Sequence, residues 1–139
     1  MTDKLSKERR SWNMSRIRGK NTKPELLLRS MLHRSGYRFR VHFSKLRGRP
    51  DIVLPRYKTA IFVHGCFWHR HPGCPKATTP SSNTDFWMKK FEATTARDHR
   101  NATEISAAGW TVLTIWECEL ERDPNNVLAS IKENLEGHQ

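Results

Sequence analysis

The sequence has no long apolar run, few acidic side chains and only three cysteines. A helix needs about 18 consecutive apolar residues to span a bilayer, and the basic N-terminus lacks the apolar core of a signal peptide. An odd number of cysteines argues against a disulfide framework and favours free thiols or metal ligands. These absences predict a soluble, cytoplasmic protein.

The scarcity of acids leaves a strongly positive chain. Twenty-five Lys and Arg stand against 14 Asp and Glu, a formal net charge of +11 in 139 residues. Such a charge favours a nucleic acid as partner, although a membrane surface or an acidic protein would also fit charge alone. The length allows one domain with a modest core.

Basic residues are densest at the N-terminus. Residues 1–20 predict either an arm that clasps a nucleic acid or a solubilising tail, and the charge pattern does not separate the two. Residues 21–139 form the predicted folded domain. No repeat or long linker divides them.

Capping signals and periodicity predict the order α-β-β-β-α-β-α. Helices are expected over about 23–35 after a Thr22 and Glu25 capping box, over 85–108, and after the Asp123 cap. A half-exposed strand is expected over 37–43, further strands over 51–54 and 59–64, and a buried strand over 110–116. The first helix should bury Leu26, Leu27, Leu28, Met31 and Leu32, and the last Val127, Leu128, Ile131 and Leu135. This order predicts an α/β domain with a mixed central sheet flanked by helices.

Cysteine and histidine crowd one segment. Cys66 and Cys74 flank a loop containing His69 and His71, and Cys118 is expected at the end of the last strand. Zinc favours four such ligands, and a closed set of three cysteines and one histidine leaves no vacancy for substrate, so the predicted site is structural. The spacing does not decide which histidine completes it. Three unrelated buried thiols are the alternative, disfavoured by this crowding.

Two carboxylates are candidates for chemistry. Asp51 follows a basic stretch and begins a predicted strand, where a hard oxygen ligand could hold Mg2+ beside a phosphate, although such Pro-Asp pairs are usually turns. Asp98 falls on the apolar stripe of the long helix, where a carboxylate must be paired. An arginine or a histidine could be the partner, and a histidine would be held in one tautomer.

Phe67 and Trp68 lie between Cys66 and His69, in a loop expected to leave large rings exposed. Aromatic wedges on a basic protein can enter base steps and kink a duplex, although packing in the core is the usual fate of such rings.

Several motifs together resemble those of the very short patch repair (Vsr) DNA mismatch endonucleases. They are RSWNM from Arg10, GRPD at Gly48 to Asp51, HGCFWH at His64 to His69, DFW at Asp85 to Trp87, RD at Arg97 to Asp98 and WEC at Trp116 to Cys118. The resemblance implies a restriction-endonuclease-like fold in a bacterial, nucleoid-associated protein. It implies an enzyme, acting as a monomer, that nicks 5′ of the mismatched T in a T:G pair left by deamination of 5-methylcytosine.

The resemblance also implies roles for individual residues. Asp51 and the main-chain carbonyl of Val63 would bind catalytic Mg2+, and structural Zn2+ would be held by Cys66, His71, Cys74 and Cys118. His69 would be the base, supported by Asp98, with Glu25 and His64 completing the hydrogen-bonded shell. Phe67, Trp68 and Trp87 would intercalate, and Arg10, Arg16, Arg18 and Lys20 would contact the DNA backbone. Two residues between His71 and Cys74, where the family pattern has one, make His71 the ligand most in question.

Two other functions fit the same features. A non-catalytic, zinc-stabilised DNA-binding module would use Asp51 as a turn and Asp98 as a structural ion pair, and it would not nick DNA. A restriction endonuclease would cut perfectly paired duplex on both strands, usually as a dimer. The resemblance implies functional association with a DNA cytosine-5 methyltransferase and with repair proteins.

Overall fold

The computed structural model describes residues 22–137. The helices are α1 (Lys23–Arg34), α2 (Thr84–Ala107), α3 (Glu117–Arg122) and α4 (Pro124–Glu136), and the strands are β1 (Arg40–Val41), β2 (Ile52–Leu54), β3 (Thr59–His64) and β4 (Thr111–Trp116). A short 3-10 helix, Pro55–Tyr57, connects β2 and β3. No helix in this part of the chain is long and apolar enough to cross a membrane.

The four strands form one mixed sheet in the order β1-β2-β3-β4. β1 pairs antiparallel with β2 and β2 antiparallel with β3, whereas β3 and β4 are parallel. The parallel pair requires a crossover, and α2 provides it. The predicted mixed sheet flanked by helices is therefore confirmed.

Alternating side chains of β2 and β3 divide the core between the two faces of the sheet. Ile52, Leu54 and Ile61 pack with α1, α3 and α4 on one face. Val53 and Ala60 pack with Ile105 of α2 on the other. The period of two along each strand produces this division.

The apolar face of α1 differs from the predicted one. Leu28, Met31 and Leu32 are buried as expected, but Leu26 and Leu27 are 48% and 39% exposed, and Glu25 is buried in their place. The hydroxyl of Thr22 accepts from the N–H of Glu25, which is half of the predicted capping box. The prediction of a core role for Leu26 and Leu27 was wrong, because the four consecutive residues 25–28 are distributed around most of the helix and cannot all face one side.

Three strand predictions also need correction. The strand expected over 37–43 is reduced to Arg40–Val41, with both residues exposed. β4 is half-buried rather than buried, because it lies at an edge of the sheet. Cys118 does not end that strand but lies in the first turn of α3, a short helix that the pattern did not predict.

Candidate active site and metal-binding loop

An open groove of about 1120 Å³ collects most of the predicted site residues. Its walls come from the segment that precedes β2, the end of β3, the loop that follows it and the middle of α2. The predicted site residues that line it are Asp51, Val63, His64, Phe67, Trp68, His69 and Asp98. Residues separated by up to 47 positions in the chain thus face one space.

Asp51 lies at the floor of this groove, immediately before β2, and is 7% exposed. The backbone N–H of Val63 donates to its Oδ2 at 2.7 Å, so the carboxylate lies beside the main chain of β3. Burial raises the pKa of Asp51, the hydrogen bond from Val63 opposes this shift, and the neighbouring Glu25 carboxylate raises the pKa further. Desolvated carboxylates that adjoin each other favour a bound proton or a cation between them.

Glu25 reaches this region from the first turn of α1 and is almost fully buried. Its Oε2 accepts from Nη2 of Arg29 at 2.5 Å and lies 3.4 Å from Nε2 of His42. The same guanidinium nitrogen is 3.1 Å from the His42 ring nitrogen. Arg29 and His42 therefore contact the Glu25 carboxylate, which adjoins Asp51. No motif or spacing in the sequence predicted a role for either residue.

Gly48 brings the segment preceding Asp51 against α2. It has a φ of 78°, and a Cβ at this position would lie 2.6 Å from the side-chain nitrogen of Asn101. Only glycine combines this backbone conformation with so close an approach. Gly48 and Asn101 together fix how the loop before Asp51 meets the long helix.

His69 and Asp98, which line the same groove as Asp51, form a close pair. Nδ1 of His69 is 2.6 Å from Oδ2 of Asp98. The carboxylate on the apolar stripe of α2 therefore has a histidine as its partner. The ring of His64 stacks on that of His69, with centroids 3.8 Å apart and planes 5° from parallel. Burial lowers the pKa of His64 to about 4, so this imidazole is neutral at ordinary pH.

The four predicted ligands of the second metal site also come together. The donor atoms of Cys66, His71, Cys74 and Cys118 all lie within 4.8 Å of one another. Nδ1 of His71 is 3.3 Å from the Cys118 sulfur and 3.6 Å from the Cys66 sulfur. A tetrahedral zinc ion with ordinary bond lengths separates nitrogen and sulfur ligands by about 3.6 Å. This cluster could hold a metal ion, and it contains His71 rather than His69 despite the longer spacing to Cys74.

The thiols of the cluster have contrasting environments. Burial raises the pKa of Cys66, while the backbone N–H of Lys76 is the main cause that lowers the pKa of Cys74. A cation at the centre would stabilise both as thiolates. The N–H of Cys66 also donates to the Glu117 carboxylate at 3.0 Å, which ties the loop to α3 independently of any metal.

The predicted aromatic residues form one cluster at the rim of the groove. Ring centroids are 5.2 Å apart for Phe67 and Trp68, 5.8 Å for Phe67 and Trp87, and 5.6 Å for Trp68 and Trp87. Phe91 of α2 lies beneath Phe67 at 5.3 Å. All three rings are half-buried. For Phe67 and Trp68 this corrects the exposure that the loop composition predicted.

Arg10, Arg16, Arg18 and Lys20 lie outside the described residues. Their predicted contacts with the DNA backbone therefore stay predictions. Within residues 22–137, further basic side chains line the groove, namely Arg49, Lys90 and Arg97. They give the groove a positive rim suited to phosphate.

Comparison of the sequence with known proteins shows which family it resembles. The family described as "DNA mismatch endonuclease Vsr" matches residues 2–75. The DNA mismatch endonuclease Vsr of Escherichia coli K12 is 39% identical over 136 residues, covering 98% of this chain and 86% of that protein. The type II nicking enzyme V.XorIIP of Xanthomonas oryzae pv. oryzae is 52% identical over 120 residues, covering 86% and 88%. The type II nicking enzyme V.NmeAIP of Neisseria meningitidis is 46% identical over 121 residues, covering 87% and 86%.

Proposed function

Because this chain belongs to the Vsr family of DNA mismatch endonucleases, we propose that it nicks one strand of a duplex 5′ of the mismatched T in a T:G pair. Such pairs arise when 5-methylcytosine is deaminated. The observation that supports this proposal best is the groove lined by Asp51, by the His69 and Asp98 pair, and by Phe67 and Trp68 of the aromatic cluster. A restriction-endonuclease-like fold agrees with the mixed sheet and its flanking helices.

Asp51 and the main-chain carbonyl of Val63 are the proposed holders of Mg2+. The residues fit this ion, because Mg2+ needs only one or two protein oxygens when waters and substrate phosphate supply the others. The buried, adjoining carboxylates of Asp51 and Glu25 also concentrate the negative charge that a cation would balance. When bound, Mg2+ would neutralise charge on the phosphate and activate a water.

His69 is the proposed general base. With Nδ1–H donating to Asp98, Nε2 keeps its lone pair and can accept a proton from the attacking water. Asp98 holds this tautomer and stabilises the imidazolium that forms. The neutral ring of His64 stacks on the ring of His69 and limits its rotation. The Glu25 carboxylate adjoins that of Asp51 and holds it in place.

Zinc is the proposed occupant of the cluster formed by Cys66, His71, Cys74 and Cys118. Three thiolates and one imidazole are ligands that zinc prefers, and all four positions are filled by protein, which leaves none for substrate. The role is therefore structural. It would fix the loop that carries His69 without taking part in its chemistry.

Recognition of the mismatch is assigned to Phe67, Trp68 and Trp87, which would enter the duplex beside the T:G pair. Residues 1–20 would clasp the other groove through Arg10, Arg16, Arg18 and Lys20, and residues 21–139 would form the endonuclease domain. We further propose that the enzyme acts as a monomer, in functional association with a DNA cytosine-5 methyltransferase and with repair proteins.

The test uses a pool of labelled duplexes in which T:G is flanked by randomised bases, so that every sequence context is sampled. Matched pools carry T:A or C:G instead. The wild type should nick only the T-containing strand of the T:G pool in the presence of Mg2+. Chelation should stop the reaction.

Asp51→Asn is the first variant to test. It removes an anionic metal ligand with little change in volume, and the nicking rate should fall by roughly a thousandfold or more while T:G binding persists. Normal nicking by Asp51→Asn would remove this residue from the mechanism. Double-strand breaks in the T:A pool would identify a restriction endonuclease. If the wild type bound DNA without nicking it, the protein would be a non-catalytic module.

A further inference from the structure

Arg70 lies between His69 and His71 and forms a dense set of contacts within the loop. Nη1 donates to the carbonyl oxygens of Phe67 at 3.1 Å and Thr78 at 2.9 Å. Nη2 donates to the carbonyl oxygen of Ala77 at 3.0 Å and to the hydroxyl of Thr79 at 3.1 Å. A guanidinium carries two N–H groups on each terminal nitrogen, so all four have acceptors within the protein.

The face of the guanidinium is also occupied. Its central carbon lies 3.8 Å from the ring centroid of Phe91 in α2, and 5.7 Å from that of Phe67. Phe91 is only 3% exposed, and its ring contacts Phe67 edge-on. Arg70 therefore connects both ends of the segment 67–79 to the long helix, directly beneath the aromatic cluster.

This arrangement complements that of the cysteine cluster. The cluster joins residues 66–74 to α3 through Cys118, whereas Arg70 joins residues 67–79 to α2 through Phe91. Arg70 itself has a φ of 55°, a left-handed conformation that a non-glycine residue adopts only when its surroundings enforce it. The four hydrogen bonds and the stacking contact supply that constraint.

We propose that Arg70 is a positioning residue for mismatch recognition, holding the main chain of Phe67 and the ring of Phe91 so that the aromatic cluster is ordered before DNA binds. This assignment rests on the proposed function. Rings that became ordered only on contact with DNA would lose conformational entropy at the moment of recognition. Arg70 is thus a basic residue that serves the DNA site without contacting a phosphate.

The decisive variant is Arg70→Lys, which keeps the charge but cannot reproduce the planar fork or the stacking. The ratio of T:G to T:A nicking rates should fall roughly tenfold or more, through a higher KM for T:G duplex rather than a lower kcat. The fluorescence of 2-aminopurine placed beside the mismatch should rise less on binding, because the step is opened less. Zinc content should not change. Arg34→Lys, at an exposed position of α1 with one hydrogen bond to Ser30, is the matched control and should behave as the wild type.

Arg70→Gln tests the alternative of a phosphate contact. Removal of a phosphate-contacting charge would reduce the slope of log affinity against log salt by about one, whereas we expect the slope to stay unchanged. A reduced slope would overturn the proposal. So would an Arg70→Lys protein that is less stable but keeps its mismatch selectivity and its 2-aminopurine signal.

Thr79→Val provides a milder test should the Arg70 variants fail to fold, because it removes one acceptor at an exposed site. Selectivity should fall in the same direction by a smaller factor, and unchanged selectivity would overturn the proposal. A wild type that nicks T:G and T:A equally would refute the proposed function and this assignment together. A selective wild type with an equally selective Arg70→Lys variant would refute only the assignment.

Discussion

Asp51 and His69 face the same groove, but the segments that carry them are stabilised in different ways. Asp51 precedes β2, whose Ile52, Val53 and Leu54 are fully buried between two layers of helices. His69 lies in the loop 65–79, where Cys66 is the only buried residue. The groove wall that carries Asp51, here called the strand wall, is stabilised by core packing. The wall that carries His69, here called the loop wall, is stabilised by polar contacts at a few points. The loop wall should therefore respond to metal removal and to single polar substitutions more than the strand wall does.

The largest effect expected within the loop wall is that of His69→Ala on the rate. Loss of a general base should reduce nicking by roughly 10² to 10⁴-fold, with little change in thermal stability, because His69 lies outside the cysteine cluster. The measurement is the rate of T:G nicking, with the exposed His33→Ala as control. Nicking at the normal rate by His69→Ala would assign the base elsewhere.

Cys118→Ser tests the dependence of the loop wall on metal. The variant should lose bound zinc and about 3 kcal/mol or more of stability, a fall in melting temperature on the order of 10 °C. Chelation of the wild type should have the same effect, and hydrogen exchange should accelerate in the loop 65–79 before it does in β2. Chelator should not destabilise Cys118→Ser further. A metal-free wild type with three reactive thiols would show that the cluster is not a zinc site.

Replacement of the aromatic cluster should affect selectivity more than stability. A wobble-paired step should open at a lower cost than a Watson–Crick step, by up to a few kcal/mol. Trp68→Ala, and more strongly the pair Phe67→Ala and Trp68→Ala, should weaken binding to T:G duplex far more than to matched duplex. Arg16→Ala, which lies outside the described residues, should weaken both and flatten the salt dependence. Equal weakening of both duplexes by the aromatic variants would exclude intercalation as the source of selectivity.

The smallest effect concerns Tyr37, in the core that packs against β2 behind the strand wall. Its hydroxyl donates to Glu136 at 3.0 Å, and burial, followed by this hydrogen bond, raises its pKa to about 12. The raised pKa contributes stability that is complete below the unfolded value of about 10 and is lost as the pH rises through 12. Tyr37→Phe should cost about 1 kcal/mol near neutral pH and should lessen the alkaline decline in melting temperature. Nicking at neutral pH should not change, and equal alkaline declines in the two proteins would contradict this account.

The cap of α1 at Thr22, the apolar period of α4 and the apolar, β-branched runs of β2 and β3 follow from local preferences, which is why the sequence alone predicted these elements. The same holds for Asp98, since a carboxylate on an apolar stripe must find a partner. The reduction of β1 and the exposure of Leu26 and Leu27 were not predictable in this way. Pairing partners and the neighbours of a helix decide those outcomes.

The sequence by itself thus determined the fold class, the basic character and the types of ligand available, because composition and spacing act through local geometry. Only the tertiary structure decided that His71 joins the cysteine cluster while His69 meets Asp98. It also decided that Glu25 turns toward Asp51 and that Arg70 directs its four N–H groups into its own loop. Each of these pairings depends on distances through space, and no spacing along the chain encodes them until the sheet brings its strands and helices together.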